Sequence, residues 1–357
     1  MTPHRSLRPA ARPVAVALLV ALVLVLLVLA DSDARSAPTA PDAPVPAGPD
    51  VLAAVAGPVA PGSVLREVTA RRSRSAVDTS SRAAVQRAYR RQMQPLLRSE
   101  PAIVPDGCRY AATPTATQLR TIRAVNYARR MAGLDPVTLD ASLSRRAQRA
   151  ALIQHHLGYL THTPSVAAPC FSAVGALAAG RSNLAYKYEG AATVLAYLED
   201  RGSSNRAAGH RRWLLAPTTE AMGTGQVGEY NALYVVPPSR QRSERNANPT
   251  WIAWPAAGWF PAEMQPGGRW SFGAARPGLG LGKATVRVTV GGKAVPLRLY
   301  RPHPGYGEQA TLVWDLKAPI AVPRGGVRAA TVTVRGMTLR GKPLPPRRYT
   351  VRLFWAG

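Results

Sequence analysis

The run Gly209-His210-Arg211-Arg212-Trp213-Leu214-Leu215 decides how this chain is read. Helix-forming residues lie between a glycine and Pro217, so the run reads as a short helix from about Gly209 to Leu215. Two strand-like runs follow at once, near Ala221 to Val227 and Tyr230 to Val236, and Pro237-Pro238 closes the unit. Upstream, Thr115 and Gln118 have capping-box spacing, Gln118 to Met131 lacks a breaker, and Gly133 and Pro136 end that helix. Asp140 caps a second helix, in which Leu143, Ala147, Ala150, Gln154 and Leu157 share one face and Arg145, Arg149 and His156 the other. A third runs from about Gly190 to Arg201, stopped by Gly202. Three or four helices around a small late sheet is an α+β plan.

Three places within this unit hold groups suited to chemistry: His162 in Leu160-Thr161-His162-Thr163-Pro164, Ser182-Asn183-Leu184-Ala185, and the His210 run. Together with Asn126 and Arg129, Gly133-Leu134 with Pro136, Leu139-Asp140 with Leu143, and Met222-Gly223-Thr224-Gly225, they give the resemblance. From about Thr115 to Pro237 the chain resembles the CAP superfamily of cysteine-rich secretory, antigen 5 and pathogenesis-related 1 proteins. The resemblance implies an α/β/α sandwich in which two histidines and two carboxylates line one cavity. It carries the histidines onto His162 and His210, and one carboxylate, three positions after an aromatic residue, onto Asp200 after Tyr197. The second carboxylate belongs to a Gly-Glu-Asn motif, and here Arg181-Ser182-Asn183 keeps the Asn but has Ser182 in place of the Glu. The implied cavity therefore comprises His162, His210, Asp200, Ser182 and Asn183.

Two imidazoles and a carboxylate can hold a divalent metal such as zinc, or move protons near neutral pH. With Ser182 in the second acidic position, His162 and His210 would bind metal weakly. The same groups can instead hydrogen-bond each other and knit helices to the sheet, and both uses stay open at this level. No Gly-x-Ser-x-Gly elbow and no His-Glu-x-x-His zinc helix occurs in the sequence.

Beyond a polar stretch from Ser239 to Pro249 the pattern changes to short β-branched and aromatic runs. They are Ala284 to Val290, Val295 to Tyr300, Ala310 to Leu316, Ala330 to Val334 and Tyr349 to Trp355, divided by turns such as Gly291-Gly292. This spacing predicts an immunoglobulin-like β-sandwich over 250–357, with two further strands hidden in Trp251 to Gly273, folding as its own unit after a CAP-like domain at 108–238. Residues 31–107 read as a linker: seven prolines between Ala37 and Gly62, then a basic stretch with a short helix from about Ser81 to Leu97.

Arg5, Arg8 and Arg12 precede an apolar run from Val14 to Ala30 that ends at Asp31, so residues 1–30 read as a signal peptide or a signal anchor. Either places the remainder outside the cytoplasm, secreted or held at the membrane by an uncleaved segment. Cys108 and Cys170 are the two cysteines of the chain, and an even pair in an exported protein implies a disulfide. The formal charge of +27 comes mostly from arginines spread from Arg5 to Arg352. With no nucleic-acid motif beside it, that charge points to anionic lipid or acidic envelope polymers rather than nucleic acid.

The reading that follows is an exported bacterial protein that binds a hydrophobic or anionic cell-envelope ligand without catalysis. A hydrolase of peptide or wall substrates using the His/Asp cavity is one rival. A wall-associated adaptor, with the β domain as its interaction surface, is the other.

Overall fold

The computed structural model describes residues 76–98, 103–236, 249–275, 277–303 and 310–357. The expected signal segment at 1–30 and the proline-rich spacer lie outside these residues. What is described of the basic stretch is folded: helix α1 (Arg82–Gln92) starts at Ser81, whose hydroxyl accepts from the Ala84 N–H at 3.2 Å. Its charges face water, while Val85, Tyr89 and the following Met93 enter the core. So residues 76–98, expected as part of a linker, supply one wall of the packed structure.

Helix α2 (Thr115–Met131) begins one residue after Pro114, so Thr115 lies inside the helix rather than capping it. Gln118 instead donates its side-chain amide back to the Thr113 carbonyl at 2.6 Å. After β1 (Thr138–Leu139), Asp140 caps α3 (Ala141–Leu157) by accepting from the N–H groups of Ser142 and Leu143, and Gly158, at φ 73°, ends it in the left-handed region. There follow α4 (Ala173–Ala179), β2 (Ser182–Tyr186), α5 (Thr193–Glu199), α6 (Gly209–Leu214), β3 (Ala221–Val227) and β4 (Tyr230–Tyr234).

The four strands form one sheet in the order β1-β3-β4-β2, parallel between β1 and β3 and antiparallel elsewhere. Alternation along the strands divides the core. Leu184, Ala232 and Tyr234 join Leu143, Ala147, Ala151 and Ala178 of α3 and α4, whereas Ala185, Met222 and Leu233 join Val125, Ala128, Val194 and Leu214 of α2, α5 and α6. Helices thus cover both faces of the sheet.

The strand-rich remainder comprises β5 (Trp251–Trp254), β6 (Gly258–Pro261), β7 (Arg269–Ala274), β8 (Leu279–Gly280), β9 (Thr285–Val290), β10 (Lys293–Val295), β11 (Leu297–Tyr300), β12 (Thr311–Leu316), β13 (Val327–Arg335), β14 (Thr338–Leu339), β15 (Lys342–Pro343) and β16 (Arg347–Phe354). One sheet runs β10-β9-β13-β16-β6, a second β11-β12-β7-β5, and β15-β14-β8 form a small third. Phe272 against Tyr349 and Trp254 against Phe260 join the two larger sheets, with ring centroids 6.0 and 5.0 Å apart, an arrangement consistent with a β-sandwich. The run from Trp251 to Gly273, where two hidden strands were expected, contains β5, β6 and most of β7.

One buried apolar cluster extends from Val77 through the CAP-like helices to Ala356. Arg82 lies over the rings of Trp259 and Phe354, 5.6 and 5.0 Å from their centroids, and Arg90 donates to the Ala356 carbonyl at 2.9 Å. The regions expected at 108–238 and 250–357 therefore share core rather than meeting only through a linker. Among the described residues no helix is long and apolar enough to cross a membrane.

Candidate functional site

Asp200 terminates α5 in the left-handed region, φ 51°, a conformation that Asp tolerates better than most residues. That turn aims its fully buried carboxylate at the start of α6. One oxygen meets His210 Nδ1 at 2.7 Å and the other accepts the Arg211 N–H at 2.8 Å. An ionised carboxylate only accepts, so the proton of this pair sits on Nδ1. Tyr197, one helical turn before Asp200, stacks on the His210 ring with centroids 5.6 Å apart. Its hydroxyl donates to the Asn183 carbonyl at 3.0 Å or to the Asn231 side chain at 2.9 Å, and burial pushes its pKa well above the usual tyrosine value. The Asn183 side-chain amide in turn donates to the His210 carbonyl at 2.9 Å.

Four of the residues singled out in the sequence thus form one connected unit: Asn183, Tyr197, Asp200 and His210. Ser182 is buried on β2 in register with Tyr234. Neither the Ser182 nor the Tyr234 hydroxyl has a hydrogen-bond partner among the described residues. His162 follows α3 in an exposed loop, its Nδ1 2.8 Å from the Ala179 carbonyl at the end of α4, three residues before Ser182. Among the described residues, no group of three or more His, Cys, Asp or Glu side chains is arranged to hold a metal ion.

Two arginines hold the Asp200 turn from below. Arg211 is buried and donates to the Leu198 and Glu199 carbonyls and to the Ser271 hydroxyl, at 2.6, 3.1 and 3.2 Å. Burial lowers its pKa to about 10, against the opposing pull of the Asp200 charge, so it remains a cation at neutral pH. Arg269, on β7, donates to the carbonyls of Asp200 and Gly202 at 2.6 and 2.8 Å and pairs with Asp315 across the strands. The strand-rich region therefore contributes directly to the support of His210.

Residues 122–236 match the family model for CAP, the cysteine-rich secretory protein family. Over this stretch, about a third of the chain, the protein is similar to the CAP family. No curated protein matches the chain. The CAP domain carries the expected bridge between Cys108, just ahead of it, and Cys170, and the disulfide and the domain together suggest an extracellular protein.

Sequence reasoning missed several members of the CAP-domain interior. One is Arg211, whose guanidinium goes to carbonyls and a hydroxyl rather than to an acidic side chain. Asn231 and the buried set Thr113, Gln148 and Gln226 escaped notice; the signal available was a polar side chain on a buried helix face or strand. His156, placed on the polar face of its helix by the sequence pattern, is half-buried together with His155: His155 lies edge-on to Tyr230 and His156 Nε2 is 3.0 Å from the Gly107 carbonyl.

The Arg269–Asp315 pair gives the support an acid limit. Burial alone would raise the Asp315 pKa, but the hydrogen bonds and charge of Arg269, with the Tyr300 hydroxyl, hold it below the ordinary carboxylate value. A carboxylate depressed on folding contributes stability above its unfolded pKa of about 3.9, and the contribution disappears as pH falls through the lower folded value. Asp315→Asn should therefore lower the urea midpoint at pH 7 and reduce the drop of that midpoint between about pH 4 and pH 2.5. An unchanged acid profile in the variant would show that this pair does not support the turn.

Proposed function

We propose that the protein is an exported CAP-domain protein that binds an anionic or hydrophobic cell-envelope ligand without transforming it, with His162, Ser182, Asn183, Asp200 and His210 around the binding cavity. The observation that supports this reading is the saturation of Asp200. Its side chain is fully buried, and both oxygens are engaged by His210 Nδ1 and the Arg211 N–H. It is thereby a positioning group for an imidazole, unable to attack a substrate or take its proton directly. The acidic partner expected in the second position is a serine, so the chemistry left at the cavity is that of a hydrogen-bonding, partly apolar recognition surface. The net charge of +27 favours anionic material over neutral glycans. A divalent metal, if taken up through His162 and His210, would be a weak accessory, and the strand-rich region, read as immunoglobulin-like, frames the site from the β7 side.

One observation favours the hydrolase reading instead. An imidazole held on Nδ1 by a buried carboxylate is an arrangement suited to general-base work at Nε2. Native mass spectrometry of the exported protein, with metal analysis of the same sample, separates the two. Intact envelope-derived material should be retained in wild type; cleaved fragments that vanish in His210→Ala would transfer the assignment to hydrolysis.

A further inference from the structure

We infer that the outer face of α3 holds a phosphate-binding cleft, separate from the His210 site. Ser142, Arg145, Arg146 and Arg149 follow i, i+3, i+4, i+7 spacing and so form one stripe on the helix. With Tyr110 and Val174 they line a cleft of about 250 Å³. Arg145 and Arg149 are exposed and Arg146 is half-buried. Among the described residues no carboxylate pairs with any of the three. Like charges at i and i+4 disfavour a helix, so three guanidinium groups on one face ask for an anion that none of the described residues supplies.

The walls are held in place rather than adventitious. Tyr110 lies two residues after Cys108 and Val174 four residues after Cys170, and the Cys108–Cys170 bridge fastens both segments over α3. The Arg149 guanidinium stands 5.3 Å from the Tyr110 ring centroid, which orders one arm of the cleft. Planar forks converging with a serine hydroxyl match a tetrahedral oxyanion that accepts several hydrogen bonds at once. The ligand class is a phosphate monoester or diester. Val174 and Leu177, both exposed on α4, put apolar surface beside the cleft, so the phosphate can belong to a soluble ester or to a lipid headgroup.

This inference deepens the anionic-ligand reading above, but its test does not depend on that reading. Full-length protein is titrated at low ionic strength with glycerol 3-phosphate, and in parallel with vesicles of phosphatidylglycerol. Binding of either probe should fall at least about ten-fold in Arg145→Ala/Arg149→Ala, and only in part in Arg145→Lys/Arg149→Lys, which keeps the charge but loses the fork. Arg123→Ala/Arg335→Ala removes equal charge elsewhere and should leave binding unchanged, while a thermal melt of each variant checks folding. Binding of the soluble ester identifies a free phosphoryl ligand, and binding of vesicles alone identifies a headgroup. Failure of both probes, or an equal loss in the control pair, overturns the cleft. Retention of envelope material by a wild-type protein that binds neither probe would sink the cleft alone and leave the wider function standing.

Discussion

Gly225→Ala is expected to abolish stable folding of the CAP domain, at a cost of more than about 3 kcal/mol. Strand β3 lies so close to α3 that a methyl group at 225 would coincide with the backbone of Gln148 and Ala147. The atoms in the way are main chain inside a helix, so no rotamer change can clear them. Sheet and helix would have to separate, and Gln226 would lose its backbone link to the Gln148 side chain, now 3.0 Å. Gly291→Ala is the contrasting case. Its surroundings are open, and only the left-handed backbone, φ 55°, opposes a side chain, at about 1 kcal/mol. Chemical denaturation of the two variants should differ by several-fold in lost stability; comparable losses would mean that the close approach of β3 to α3 is wrong.

Arg129→Ala should cost roughly 3–5 kcal/mol, the range for stranding buried partners of a charged group. Arg129 has no exposed surface, and its guanidinium donates to the carbonyls of Asp135, Leu214, Ala216 and Thr219 at 2.8, 3.0, 2.8 and 3.4 Å. It thereby pins the chain that leads from α6 into β3. Truncation leaves those carbonyls without their donor and frees the helix that carries His210. Arg129→Lys should recover only part of the loss, because an ammonium cannot span the same acceptors. Arg123→Ala, on the exposed face of the same helix, should change stability by less than about 0.5 kcal/mol. A urea series on the three variants checks the order; equal effects at 129 and 123 would refute the role of Arg129.

Both positions show where sequence is informative and where it stops. Helix α3 was legible because Asp140 and Gly158 bracket a clean apolar face, and α6 because Pro217 limits it. Helix α4 and strand β2 were not. Ala173–Ala179 is small and apolar throughout, and Ser182–Asn183–Leu184–Ala185 is buried on both faces of the sheet, so neither offers the contrast that periodicity needs. Arg129 stood in the sequence as one more arginine on a helix. Carbonyl acceptors leave no mark in the sequence, whereas a carboxylate partner would have. At the site, the resemblance found His210 and Asp200, but the Asp200 turn depends on Arg269, a contribution from β7 that no local pattern announces. The shared core beneath α1 escaped notice for a related reason: its basic outer face obscured the buried residues Val85, Tyr89 and Met93.

The proposed function is tested most directly by incubating the full-length protein with isolated cell-envelope material and following two quantities in one experiment, protein retained and soluble fragments released. Saturable retention that weakens with added salt, with no release of fragments above a protein-free control, is the predicted result. Release of fragments that requires His210, at any level of retention, would contradict it and make the protein a hydrolase.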